Sequence, residues 1–204
     1  MRLRTRLVTV AVITAGLFGA FTGVALAHEN QVIRFGSFLG GLTHPVLGLD
    51  HFLAMVSVGV VSSMLGGRAI WTVPSLFVVM MAVGGVLGRQ DIGLDETAIE
   101  TGIAISVIAL GLAIAADRQL PVKAVMGAVV FFGFFHGYAH GVEIPNIARP
   151  MVYAGGFLLG TALIHLLGVL VGAMTKRYTR GRIALRAIGA VFVVIGVLFI
   201  LGVM

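Results

Sequence analysis

The stretch MVYAGGFLLGTALIHLLGVLVGAM, from Met151 to Met174, contains no Asp, Glu, Lys or Arg. A helix rises 1.5 Å per residue, so a run of this length crosses roughly 30 Å of hydrocarbon with some to spare. Working outward, comparable runs recur at Val46–Leu65, Ala69–Leu87, Ala98–Ala116, Val122–Tyr138 and Ile183–Val203. The chain of 204 residues is 59% hydrophobic and only 11% charged, against about 25% charge in a soluble domain. The pattern predicts an all-α, polytopic membrane protein with about six transmembrane helices in one domain. Gly and Pro inside these runs, such as Pro74, Gly84 and Gly85, are tolerated because neighbouring helices satisfy the freed backbone groups. Gly156 with Gly160, and Gly168 with Gly172, have the small-residue spacing that lets two helices approach closely.

The N-terminal segment reads as a signal peptide over residues 1–27. Arg2, Arg4 and Arg6 precede an apolar stretch, Leu7 to Val24, and Ala25-Leu26-Ala27 forms a small-residue cleavage site. Cleavage would leave residues 28–204 as the six-helix domain, with His28 at a mature N-terminus on the periplasmic side. Distribution of basic residues gives the same orientation independently. Arg68, Arg118, Lys123, Lys176, Arg177, Arg180, Arg182 and Arg186 fall in loops on the inner side, against Arg34, Arg89 and Arg149 outside. The net charge of +6 is therefore a topology signal. No basic face or stacking platform accompanies it, which argues against nucleic acid as a partner. The absence of cysteine excludes thiolate metal sites, disulfides and cysteine nucleophiles. Between the cleavage site and the first long run, Val32, Phe35, Leu39 and Leu42 recur at helical spacing and suit a helix lying along the outer interface.

Ionisable side chains are costly at membrane depth and usually mark a site. Here they gather towards one side. His44, Asp50 and His51 begin the first run, Glu100 begins the third, and His136, His140 and Glu143 end the fourth. His136, His140 and Glu143 are spaced four and three apart, which puts them on one helical face. Gly137 and Gly141 are expected to keep that face open. His44 and His51, seven apart, share a face if a helix begins by Thr43 with Pro45 in its first turn. Asp50 is either a ligand or the acceptor that fixes an imidazole tautomer. Imidazole and carboxylate without thiolate suit Ni²⁺, Co²⁺ or Zn²⁺ better than Mg²⁺ or Ca²⁺. Met55 reads as packing, and His165 as a histidine bonded to a neighbouring helix.

Two motifs carry a resemblance. HPVLGLDHFLAM (His44 to Met55) contains H-x5-D-H, and FHGYAHGVE (Phe135 to Glu143) fits F-H-G-x-A-H-G-x-E. Together with LGGRAIW and MMAVGGVLG between them, they resemble the HupE/UreJ family of nickel permeases and hydrogenase or urease accessory proteins. The resemblance implies passage of Ni²⁺, in some members Co²⁺, across the bacterial inner membrane. It implies metal-handling roles for His44, Asp50, His51, His136, His140 and Glu143, with Glu100 at a similar acidic position. The expectation is a transporter whose divalent metal ion is cargo, with no prosthetic group. A membrane-embedded zinc hydrolase, with Asp50 or Glu143 activating water, is the alternative. H-E-x-x-H is absent, and so is a Walker motif for ATP.

Overall fold

A computed structural model describes residues 36–144 and 149–203. The expected signal peptide, the cleavage site and His28 lie outside the described residues. Those described form seven helices and no strand: α1 (Gly36–Leu47), α2 (Leu49–Leu65), α3 (Ala69–Arg89), α4 (Glu96–Ala116), α5 (Val122–Glu143), α6 (Pro150–Thr175) and α7 (Thr179–Ile200). Helices α3 to α7 are each long and apolar enough to cross a membrane. The chain is a multi-pass membrane protein.

The first expected span is different. Instead of one helix over Val46–Leu65, α1 and α2 meet at Gly48 with a bend of 83°, and together they make a sixth span only if the bent pair counts as one. Gly48 has extended backbone (φ −87°, ψ 118°), which interrupts the helical hydrogen-bond ladder. Pro45 is therefore inside the last turn of α1 and not in the first turn of a helix through His51. Of the stretch expected to lie along the interface, Leu39 and Leu42 fall in this separate helix from Gly36, and Val32 and Phe35 lie outside the described residues.

Close backbone contacts organise the bundle. On α6, a methyl added at Gly156 or Gly160 would overlap the carbonyl oxygens of Phe38 and Leu42 on α1, and one at Gly168 would overlap that of Val56 on α2. One straight helix thus seats both halves of the bent pair, the packing role expected of these glycines. The second tight seam joins α3 and α5. A methyl at Gly137 would overlap the carbonyl oxygen of Met81, and one at Gly141 that of Gly85; Gly84 and Gly88 return the contact against Phe134 and Tyr138. Gly137 and Gly141, expected to keep the histidine face open, instead seat α5 against α3, on a face turned by roughly 100° from that of the histidines.

The two ends of the bundle differ in charge. At the end away from the histidines, Arg182 pairs with Asp117 at 2.6 Å, Arg186 donates to the Ala115 carbonyl, and Lys176 Nζ donates to the Ser63 carbonyl at 2.7 Å. These cations meet the carbonyl ends of α2 and α4, where the helix dipole favours them.

Candidate metal-handling site

Three helices converge at the opposite end. His44 comes from the last turn of α1 and His51 from the first turn of α2, preceded by Asp50. His136, His140 and Glu143 come from the final two turns of α5, on one face as their spacing dictates. The rings form a continuous array: His44 to His140 at 4.9 Å, His140 to His51 at 4.2 Å, and His51 to His136 at 4.9 Å between centroids. The bend at Gly48 brings His44 and His51 to one site from two helices instead of one helical face.

Each of the four imidazoles uses one nitrogen for an anchoring contact. Asp50 Oδ1 lies 2.8 Å from His51 Nδ1, and the Phe132 carbonyl lies 2.9 Å from His136 Nδ1. Glu143 Oε2 takes both His140 Nδ1 at 3.1 Å and His44 Nε2 at 3.2 Å. A neutral imidazole has one N–H donor and one lone pair. Since carboxylates and carbonyls only accept, each anchored nitrogen carries the proton and the other is left as a lone pair. Those other nitrogens are His44 Nδ1, His51 Nε2, His136 Nε2 and His140 Nε2, all buried and without a hydrogen-bond partner among the described residues.

Four buried lone pairs with fixed tautomers are costly to leave unmet, since each unpaired polar group forfeits its hydration. They are also the pattern of metal-ligating histidine, whose far N–H is held by a carboxylate or carbonyl. Asp50, left open between ligand and orienting acceptor, takes the second position: it also accepts the backbone N–H of His51 at 2.8 Å. Glu143 is more exposed, 52% at the side chain, and its carboxylate can both orient two rings and meet a cation at the entrance. One ligand atom each from His44, His140 and Glu143 lies within 4.8 Å of the others.

Glu100 is not brought into this group. It is exposed on the first turns of α4, a helix that packs chiefly along α7 and α2, and the inward-facing residue of its turn is Ile99, which packs with Ile103 and Tyr138. Met55 is fully buried in the apolar core, as a packing residue should be. His165 departs from expectation. Neither of its ring nitrogens has a partner among the described residues.

The wall of the site was not singled out from the sequence. Phe157 lies 4.3 Å from the His140 ring and 6.0 Å from that of His44, and Tyr153 lies 5.9 Å from His44. On α3, Phe77 lies 5.4 Å from His136. A signal did exist: Tyr153, Phe157, Thr161 and His165 recur every four residues and are all buried, which makes one inward stripe on α6. Beside this wall a cavity of about 360 Å³ opens between α3, α5 and α6, and His140 and Tyr153 border it.

Comparison with known proteins agrees over nearly the whole chain. The model of the family described as "HupE / UreJ protein" matches residues 8–199. The protein described as "Protein HupE" from Rhizobium leguminosarum bv. viciae is 39% identical over 179 residues, covering 87% of this chain and 92% of that relative. No solved structure matches.

Proposed function

This chain belongs to the HupE/UreJ family, and from that premise we propose that it is a permease carrying Ni²⁺, or Co²⁺, from the periplasm into the bacterial cytoplasm for metalloenzyme maturation. The observation that carries the reading is the set of four anchored imidazoles, each with one buried nitrogen unpartnered among the described residues, drawn from three helices. Such donors are strong enough to replace the water shell of a borderline divalent ion, and thiolates that would select Cu(I) are absent.

In this reading Glu143 meets the ion first, being the most exposed of the group, and its charge offsets the loss of hydration. His44 and His140, both within reach of that carboxylate, take over, and the ion passes inward to His51 and His136. Release demands that no position hold the full complement of donors at once. An array of rings 4 to 5 Å apart suits transfer by exchange of one or two donors at a time. The membrane potential contributes roughly 2.3 kcal/mol per charge per 100 mV, and so about twice that for a divalent cation moving inward.

Uptake of radioactive nickel by cells expressing the chain tests this. His140→Ala should reduce uptake to that of cells lacking the protein, at equal amounts in the membrane. Undiminished uptake would sink the assignment of the site. The hydrolase alternative has one observation in its favour, the two-histidine, one-glutamate trio, which is a set known from catalytic zinc. Under that alternative His140→Ala abolishes turnover of a peptide or lipid and leaves nickel accumulation unchanged.

A further inference from the structure

One titratable group deep in the bundle has no part in the cluster. His165, on α6, is 2% exposed, and neither Nδ1 nor Nε2 has a hydrogen-bond partner among the described residues. The four clustered histidines each leave one nitrogen unmet; this one leaves two. Its neighbour one turn earlier on the same face, Thr161, is fully buried with its hydroxyl also unpartnered among those residues. Ser57 and Ser63 of α2 are likewise buried with unpartnered hydroxyls among those residues. Ser62, Ser106 and Thr175 return their hydroxyls to carbonyls of their own helices, those of Gly59, Ile103 and Val171, the ordinary resolution for a helical hydroxyl. Thr161 forgoes it.

The position of this pair is informative. The inward stripe of α6 begins at Tyr153 and Phe157, which touch the rings of His44 and His140, and continues through Thr161 to His165. Eight residues separate Phe157 from His165, about 12 Å along a helix axis. From the other side, Phe77 of α3 joins the two regions: its ring lies 5.4 Å from His136 and 5.1 Å from His165. Two histidines with unpartnered nitrogens therefore pack against a single aromatic ring.

We propose that His165 and Thr161 form a second, deeper station for the divalent cation, reached from the four-histidine cluster past the ring of Phe77. The proposal rests on the permease reading and supplies the inner half of its route. An imidazole with both nitrogens unassigned takes either tautomer, so it offers a lone pair to an ion arriving from His136 without first breaking a bond. A hydroxyl oxygen is a weaker donor than imidazole. Two poorly anchored donors bind less tightly than the cluster and release more readily, as a station on the way out must.

Equilibrium dialysis of the purified full chain in detergent against Co²⁺ alone tests the station directly. The wild-type chain should take up a second, weaker equivalent. His165→Leu should lose that equivalent and retain the first, with affinity within about twofold, while nickel uptake in cells falls about tenfold or more. His165→Gln, which keeps a polar side chain of similar size, should lose the second equivalent as well and serves if the leucine variant does not fold. Wild-type stoichiometry together with wild-type uptake in a folded His165 variant would overturn the proposal. Failure of the permease reading looks different: wild-type cells would then accumulate no more nickel than cells lacking the protein, whatever the dialysis shows for the second ion.

Discussion

The two arms that meet at the histidine cluster are built on opposite plans. Helix α5 is continuous over Val122–Glu143 and delivers His136, His140 and Glu143 by helical periodicity alone. The α1–α2 arm is broken at Gly48 and bent by 83°, and it delivers His44 and His51 from two helices that share no face. The continuous arm is keyed to α3 by glycines on a face beside that of its ligands, and the broken arm is keyed to α6. The comparison teaches that the rigid arm fixes where the site is, whereas the bent arm fixes which way the remaining rings point.

Breaking the rigid arm should have the largest effect. A leucine at Gly137 cannot fit against the Met81 carbonyl, and backbone cannot yield as a flexible side chain would. Gly137→Leu should abolish the folded protein, read as loss of the monodisperse peak in size-exclusion chromatography of detergent extracts. An intact peak would mean that the α3–α5 seam is far softer than its geometry.

The bent arm should respond in affinity instead. Asp50→Asn keeps the size of the side chain but replaces an acceptor-only group with an amide, which weakens control of the His51 tautomer. Loss of an orienting partner of this kind typically costs about 10- to 100-fold in metal affinity. Titration of Co²⁺ into the purified variant should show that loss with the chromatographic peak unchanged. If affinity stays at the wild-type value, Asp50 does not orient His51 for binding.

Gly48→Ala should be milder still. Its backbone angles are open to any L-residue, so the bend should survive. The added methyl would stand 3.2 Å from Asp50 Oδ1 and 3.3 Å from His51 Nδ1, close enough to press on that hydrogen bond. A loss of affinity of about threefold is expected in the same titration. A loss as large as that of Asp50→Asn would show that the bend itself needs glycine.

The same contrast explains what could be read in advance. Where ligand spacing and helix period coincide, as at His136, His140 and Glu143, the shared face was legible. So were the long apolar runs, since burial in lipid imposes composition residue by residue. The seven-residue spacing of His44 and His51 also matched a helical face, yet the chain breaks between them. Gly48 and Pro45 were visible, but whether they bend, cap or continue a helix is decided by what packs against them, here α6. The direction of Gly137 and Gly141 was hidden for a similar reason. Glycine spacing signals close approach without saying which neighbour approaches. Glu100 shows the limit of reasoning by depth: it lies near the start of α4, which contributes no side chain to the cluster, and its neighbour Ile99 is the residue that faces inward.

One feature of the broken arm bears on how a cation is held. The last turn of α1 carries His44 and the last turn of α5 carries His140, so two helix C-termini converge on the cluster. Each such end bears partial negative charge from its terminal carbonyls, that of α5 met in part by Arg89, which donates to the Ile144 carbonyl at 3.4 Å. The opposing N-terminus of α2, one residue beyond the bend, has its charge answered by Asp50, which accepts the His51 amide there. Acid can protonate Glu143 or an imidazole and so remove their pull on a metal. It cannot protonate a peptide carbonyl at any physiological pH. Part of the attraction at this end of the bundle is thus written into the backbone, present before any side chain adopts its working charge.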